Sequence, residues 1–121
     1  MESSGGSYSG WERRRAERYR VNLSARWEGR WASRAATVTD LSVYGCFVLT
    51  DDLVDRGETV RLELSLPRGG DITLWGAVVY QAPEIGFALN FEEFKDEDDR
   101  RKLEWLLRAE AHRVGRQKDE E

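Results

Sequence analysis

The chain has 121 residues, which is enough for one small domain with a single hydrophobic core but not for two. Its formal net charge of -4 disfavours a long nucleic-acid groove, which needs a basic surface, so any bound anion should be small and held locally. The single cysteine, Cys46, excludes an internal disulfide and a cysteine-only zinc site. The sequence has no apolar run long enough to span a membrane and no apolar signal peptide. We therefore expect a cytoplasmic protein without a membrane partner.

The N-terminal part divides into a polar tail and a basic arm. Residues 1–11 are rich in Ser and Gly and are predicted to be disordered, because they cannot bury enough surface to offset the entropy of ordering. In the arm, residues 12–20, Arg14 and Arg18 are four positions apart and share one face in either a helix or an extended chain. Their guanidinium groups can fork onto phosphate or onto the acceptor edge of guanine, although a solvated basic arm is the other interpretation.

Six segments between residues 21 and 92 are predicted to be β-strands. Three of them alternate apolar and polar residues with the period of two that is typical of half-buried strands: Val21–Trp27, Val60–Leu66 and Gly86–Phe91. The other three are β-prone or apolar runs bounded by turn residues: Ala35–Leu41, Cys46–Thr50 and Ile72–Tyr80. Strands at this spacing indicate an all-β barrel or sandwich, and in a chain of this length a barrel closes its edges most economically.

The pattern changes to a helical one after the last strand. Apolar residues recur at steps of three and four and predict a C-terminal α-helix over residues 96–114: Leu103, Leu106, Leu107, Ala111 and Val114. Acidic residues at 96–99 and Arg108 and Arg113 near the other end suit the helix dipole. Gly115 is a plausible helix stop, and residues 116–121 are predicted to form a disordered charged tail.

A second motif lies between the second and third predicted strands, at Asp40, Ser42 and Gly45. A carboxylate can accept from the paired N–H donors on the Watson–Crick edge of guanine, a hydroxyl adds a rotatable donor and acceptor, and glycine allows a close backbone approach. The same three residue types also occur in ordinary turns for local hydrogen-bonding reasons.

Taken together, R-x-x-x-R before the first strand and D-x-S-x-x-G after the second resemble the PilZ family. The resemblance runs from about Glu12 to Phe91, and no signature position is missing. It implies that residues 12–115 form a single PilZ-like domain, a six-stranded antiparallel β-barrel (21–92) with a C-terminal α-helix. It also implies a bacterial receptor for the second messenger cyclic di-GMP.

By this resemblance, Arg14 and Arg18 clamp phosphate and the Hoogsteen edge of guanine. Asp40 and Ser42 would hold another guanine face, and Gly45 would keep the wall open. Ligand binding would order the arginine arm and so pass a signal to an unidentified downstream protein.

Two further residues have roles that the resemblance suggests. Arg13 directly precedes the signature, and in similar proteins such an arginine goes with a stacked pair of ligand molecules, so we expect an intercalated ligand dimer. Tyr80, at a position that is often aromatic in the family, is a weaker candidate for stacking on a base, with barrel packing as the other interpretation.

The sequence offers little support for an enzyme, a cofactor or a metal site. His112 is the only histidine and lies on the predicted helix, and Cys46 is most simply a small buried residue. Two alternatives to the receptor remain: a small barrel that binds single-stranded nucleic acid, and a PilZ-like module that has lost its ligand and binds only protein. In each case we expect a monomer or weak dimer.

Overall fold

The computed structural model describes residues 17–120, with side chains described as far as Val114. Six strands pair antiparallel throughout and form a closed barrel in the order β1-β2-β3-β6-β5-β4. The strands are β1 (Tyr19–Glu28), β2 (Ser33–Leu41), β3 (Gly45–Leu49), β4 (Thr59–Ser65), β5 (Asp71–Ala82) and β6 (Gly86–Phe94). A C-terminal helix, α1 (Glu97–Glu120), follows the barrel.

The six predicted strands and the barrel are confirmed, with small differences at the ends. Strand β1 begins at Tyr19, so Tyr19 and Arg20, which we assigned to the arm, belong to the barrel. The reason is that these two residues pair with Leu41 and Asp40 of β2. The disordered tail predicted for 1–11, most of the arm, and the arginines Arg13 and Arg14 lie outside the described residues.

The alternation read from the sequence decides which side chains fill the barrel. Val60, Leu62 and Leu64 on β4 are fully buried, and their neighbours on the same strand face outward. Trp27 packs edge-on against Phe87 with the ring centroids 5.3 Å apart. Each large apolar side chain buried in this way contributes about 1.5–3 kcal/mol, so the interior of the barrel is the main source of stability.

Helix α1 starts with a side-chain cap and is attached to the barrel at that end. The backbone N–H of Asp99 donates to the Asp96 carboxylate at 2.9 Å, which satisfies one of the free donors of the first turn. The buried Asp99 carboxylate in turn accepts from the backbone N–H of Thr73 on β5 at 2.8 Å. Leu103 and Leu106 are buried, so the first half of the helix covers one end of the barrel.

The helix is longer than predicted, because it continues through Gly115 to Glu120 instead of ending near residue 114. A glycine inside a helix costs about 1 kcal/mol relative to alanine, which good helix formers on either side can offset. Arg116, Gln117 and Lys118 are such residues. Within residues 17–120, no helix combines the length and the apolar character that a membrane crossing needs.

Candidate functional site

A cavity of about 390 Å³ opens on the outer wall of the barrel, where β2, β3, β6 and β5 lie side by side. Its size falls within the usual range for small-molecule sites. Five of the seven site residues predicted from the sequence line it: Arg18, Asp40, Ser42, Gly45 and Tyr80. The cavity therefore brings the end of the arginine arm together with the D-x-S-x-x-G turn and the aromatic candidate.

Strand register explains why residues so far apart in the chain meet. Asp40 on β2 lies opposite Phe47 on β3, Phe47 lies opposite Ala88 on β6, and Ala88 lies opposite Tyr80 on β5. These four side chains share the outer face, while the residues on either side of Phe47 and of Ala88 are buried in the barrel. Ala88, between the two aromatic residues, also lines the cavity.

The turn between β2 and β3 is held together by Ser42, which is 7% exposed. Its hydroxyl oxygen accepts from the backbone N–H groups of Tyr44 at 3.1 Å and Gly45 at 3.2 Å. Its own backbone N–H donates to the Gly45 carbonyl at 2.9 Å. The hydroxyl also donates to that carbonyl over 3.5 Å, which is a long and therefore weak hydrogen bond. Ser42 thus shapes the turn through both its hydroxyl and its backbone.

Gly45 has a packing role that the sequence did not indicate. It pairs with Asn90 of β6, and a Cβ atom at this position would overlap the carbonyl oxygen of Leu89. Only glycine lets the two backbones approach so closely here. The glycine of the motif is therefore needed to pair β3 with β6, which forms the floor of the cavity.

The cavity contains both signs of charge. Arg18 is exposed at its mouth, and Asp40 is half-buried in its wall. Burial, and to a lesser extent the nearby charge of Asp40, raises the pKa of the Cys46 thiol well above its ordinary value. Cys46 therefore lines the cavity as a neutral thiol, which agrees with its interpretation as a small buried residue.

Tyr80 presents an aromatic surface to solvent beside the cavity. Tyr80 is 54% exposed, and its ring centroid is 6.2 Å from that of Phe47 at an interplanar angle of 46°. The ring therefore packs on the barrel and still has exposed surface, so both interpretations made from the sequence are compatible with its position. A base could stack on such a ring.

Sequence reasoning missed two residues that line the cavity, Phe47 and Asn90. Both occupy outward positions in strands that were predicted, and Asn90 is a polar residue between the apolar Leu89 and Phe91. That interruption was the available signal. The side-chain amide of Asn90 offers both donors and an acceptor to a ligand. Among residues with described side chains, no group of His, Cys, Asp or Glu is arranged to hold a metal ion.

Comparison with known proteins identifies one family. The family model described as PilZ domain matches residues 12–109. A comparison with curated proteins finds no significant match.

Several solved structures resemble the barrel. MrkH of K. pneumonia in its complex with c-di-GMP has a TM-score of 0.69 and 19% identity, over 85% of this chain and 53% of that one. The Bacillus subtilis inhibitor of motility MotI/DgrA has a TM-score of 0.65 and 20% identity, over 80% of this chain and 51% of that one. The PilZ domain of YcgR from Escherichia coli with c-di-GMP has a TM-score of 0.65 and 15% identity, over 88% of this chain and 98% of that one. The chain thus spans about half the length of the MrkH and MotI/DgrA chains. At identities of 15–20%, these structural likenesses show a shared fold and nothing more.

Proposed function

The chain belongs to the PilZ domain family, and on that premise we propose that it is a receptor that binds cyclic di-GMP. The observation that carries the proposal is the cavity on the barrel wall, in which Arg18, Asp40 and Ser42 come together from both signature motifs. Two structures with this fold, MrkH and the YcgR domain, are complexes with c-di-GMP, which supports the same ligand class for this chain.

The chemistry of the cavity suits a guanine base linked to a phosphate. The Asp40 carboxylate can accept from both the N1–H and the exocyclic amine of guanine, a pairing that adenine does not offer. The Ser42 hydroxyl makes only a long hydrogen bond as a donor and could turn towards a ligand, and Asn90, paired with Gly45, adds a side-chain amide. Arg18 at the mouth supplies a fork of N–H donors for phosphate or for the Hoogsteen edge of guanine.

The remaining arginines of the arm would complete the site. Arg14 lies four residues before Arg18, so its Cα is at most about 14 Å from that of Arg18 even in an extended chain. Arg14 can therefore reach the same ligand. Arg13, one residue earlier, would stack against a second ligand molecule, giving an intercalated ligand dimer. Residues 12–18 would become ordered over the ligand and present a changed surface to a downstream protein, with charge-assisted contacts offsetting the entropy of ordering.

Isothermal titration calorimetry with cyclic di-GMP tests the proposal. We expect the wild-type protein to bind and the variants Asp40→Ala and Arg18→Ala to lose about ten- to a hundredfold in affinity, since each removes a charged hydrogen-bonding group. Asp51→Ala is the matched control, because Asp51 is exposed and does not line the cavity. Cyclic di-AMP serves as the ligand control. Wild-type protein that ignores cyclic di-GMP, or an Asp40→Ala variant that binds as tightly as Asp51→Ala, would refute the assignment.

A further inference from the structure

Arg20 occupies a position beside the cavity that the signature motifs do not mark. It lies directly opposite Asp40 in the pairing of β1 with β2. It follows Arg18 by two residues, and in an extended chain residues two apart point to the same side, so both arginines face outward. Both are exposed. The guanidinium of Arg20 is therefore carried on the same wall as the ligand-binding residues.

A second hollow, an open groove of about 770 Å³, is lined by Arg20 and by other residues of β1, β2 and helix α1. A bulge forms part of the lining of this groove, next to the Arg20–Asp40 pair: between the pairs Arg20–Asp40 and Leu23–Val38, β1 has two residues and β2 has only Thr39. Bulges bend a strand and redirect side chains, and they are common next to binding sites. Arg20 lines the groove and Asp40 lines the cavity, so this one residue pair forms the boundary between the two hollows.

No charged residue in the lining of the groove forms an ion pair with Arg20 among the described side chains, so its guanidinium can bind an anion. The other arginine in the groove lining, Arg113, donates from Nε at 3.1 Å and from Nη2 at 2.7 Å to one carboxylate oxygen of Glu110. Among the residues whose side chains are described, no carboxylate forms an ion pair with Arg20. Directly opposed residues of an antiparallel pair have Cβ atoms about 4.5–5.5 Å apart, so the long Arg20 side chain can reach past Asp40 to the cavity mouth.

We propose that Arg20 is a fourth arginine of the ligand site, beside Arg13, Arg14 and Arg18, and contacts a phosphate of the cyclic dinucleotide where the ligand leaves the cavity across the β1–β2 pair. This inference rests on the proposed function. A cyclic dinucleotide carries two phosphodiester charges, and the Asp40 carboxylate that reads its base repels them. A guanidinium directly beside that carboxylate offsets the repulsion and adds a fork of donors that fits phosphate.

Calorimetry on Arg20→Ala tests the inference against the matched control Arg26→Ala, because Arg26 is also an exposed arginine on β1 but lines neither hollow. We expect Arg20→Ala to bind cyclic di-GMP about tenfold more weakly, and Arg26→Ala to bind within about twofold of the wild type. Arg20→Lys should recover part of the loss, since it keeps the charge and loses the fork. The deficit of Arg20→Ala should shrink as salt is raised from 50 to 300 mM, because salt screens the lost charge.

A second ligand separates a phosphate contact from an indirect effect through Asp40. Cyclic di-IMP keeps both phosphates and lacks the exocyclic amine of the base. If Arg20 contacts phosphate, Arg20→Ala loses the same factor in affinity with either ligand. A clearly smaller loss of affinity with cyclic di-IMP would mean that Arg20 affects how Asp40 binds the base, and would overturn the inference.

The two proposals fail in different ways. Wild-type protein that binds neither ligand refutes the receptor assignment and the role of Arg20 with it. Wild-type binding that depends on Asp40, together with an Arg20→Ala variant that equals Arg26→Ala, refutes the role of Arg20 alone. Thermal unfolding of each variant without ligand should match the wild type, because both side chains are exposed.

Discussion

The hydroxyl oxygen of Ser42 accepts a hydrogen bond from the backbone N–H of Gly45, 3.2 Å away, across the turn that joins β2 to β3. The Tyr44 N–H donates to the same oxygen. Replacing Ser42 with alanine leaves both donors without this partner, so we predict that Ser42→Ala lowers the free energy of unfolding by about 1–3 kcal/mol. Urea denaturation measures this loss. Ser24→Ala, at an exposed position of β1, should change it by less than about 0.5 kcal/mol, and equal losses in both variants would contradict the prediction.

The attachment of α1 to the barrel gives a second prediction. Asp99→Ala removes the carboxylate that accepts from the buried Thr73 N–H, so the free energy of unfolding should fall by about 2–3 kcal/mol. Asp98→Ala is a close control, because Asp98 and Asp99 both lie near Lys102, at 3.6 and 3.5 Å, but Asp98 is exposed. We expect little change in that variant by thermal or urea unfolding. A larger loss in Asp98→Ala than in Asp99→Ala would show that the ion pairs, and not the buried hydrogen bond, hold the helix.

The buried thiol of Cys46 should make stability depend on alkaline pH. Burial, and then the charge of Asp40, raises the pKa of this thiol in the folded protein above its ordinary value of about 8.5. The unfolded chain therefore loses the proton first as pH rises. This contribution to stability is complete below about pH 8.5 and decreases above it. Urea denaturation between pH 7 and 10 should show a steeper decline for the wild type than for Cys46→Ala.

Reactivity provides an independent check of the same thiol. At pH 8 an aromatic disulfide reagent should modify Cys46 slowly in the folded protein and rapidly in urea, because the nucleophile is the thiolate. Fast modification of the folded protein would contradict the burial of this side chain.

Stacking by Tyr80 can be tested separately from its packing on Phe47. Base stacking on an aromatic ring contributes about 1–3 kcal/mol, so Tyr80→Ala should weaken binding of cyclic di-GMP about tenfold, while Tyr80→Phe should bind nearly as well as the wild type. Calorimetry measures both. Trp31→Ala is the control for loss of an exposed aromatic side chain, since Trp31 is exposed in the β1–β2 turn and does not line the cavity. Equal affinities in Tyr80→Ala and Trp31→Ala would leave Tyr80 with a packing role only.

Arg13 lies outside the described residues, so its role is tested by stoichiometry. If Arg13 stacks between two ligand molecules, Arg13→Leu should move the calorimetric endpoint from two cyclic di-GMP molecules per chain towards one. A wild-type endpoint in the variant would remove that role from Arg13 and leave the single-ligand site intact.

Much of the fold could be predicted because the signal is local. Val60, Leu62 and Leu64 alternate with polar residues, and this period of two determines both the strand and the face that it buries. The end of the helix was harder to predict, because a glycine such as Gly115 can either stop a helix or be tolerated inside it. The choice depends on the residues around it, and in this chain those residues favour continuation.

The candidate site could be predicted only where a motif, or for Tyr80 a familiar family position, marks it. Asp40, Ser42 and Gly45 were found because they are close together in sequence. Phe47, Asn90 and Arg20 join the same wall only through strand register, and the bulge at Thr39 shifts that register by one residue. A shift of one residue moves every later side chain of the strand to the other face of the sheet. The residues around Thr39 carry no pattern that predicts this bulge.

Closure of the six strands limits how another protein could recognise this one. Every strand of the described barrel has a hydrogen-bonded neighbour on each side, so no strand is open along its whole length for a foreign peptide to add as a seventh strand. A partner that distinguishes the loaded protein from the empty one would therefore rely mainly on side chains, loops or the ligand itself. Its affinity should be sensitive to single surface substitutions to a degree that recognition through main-chain pairing would not be.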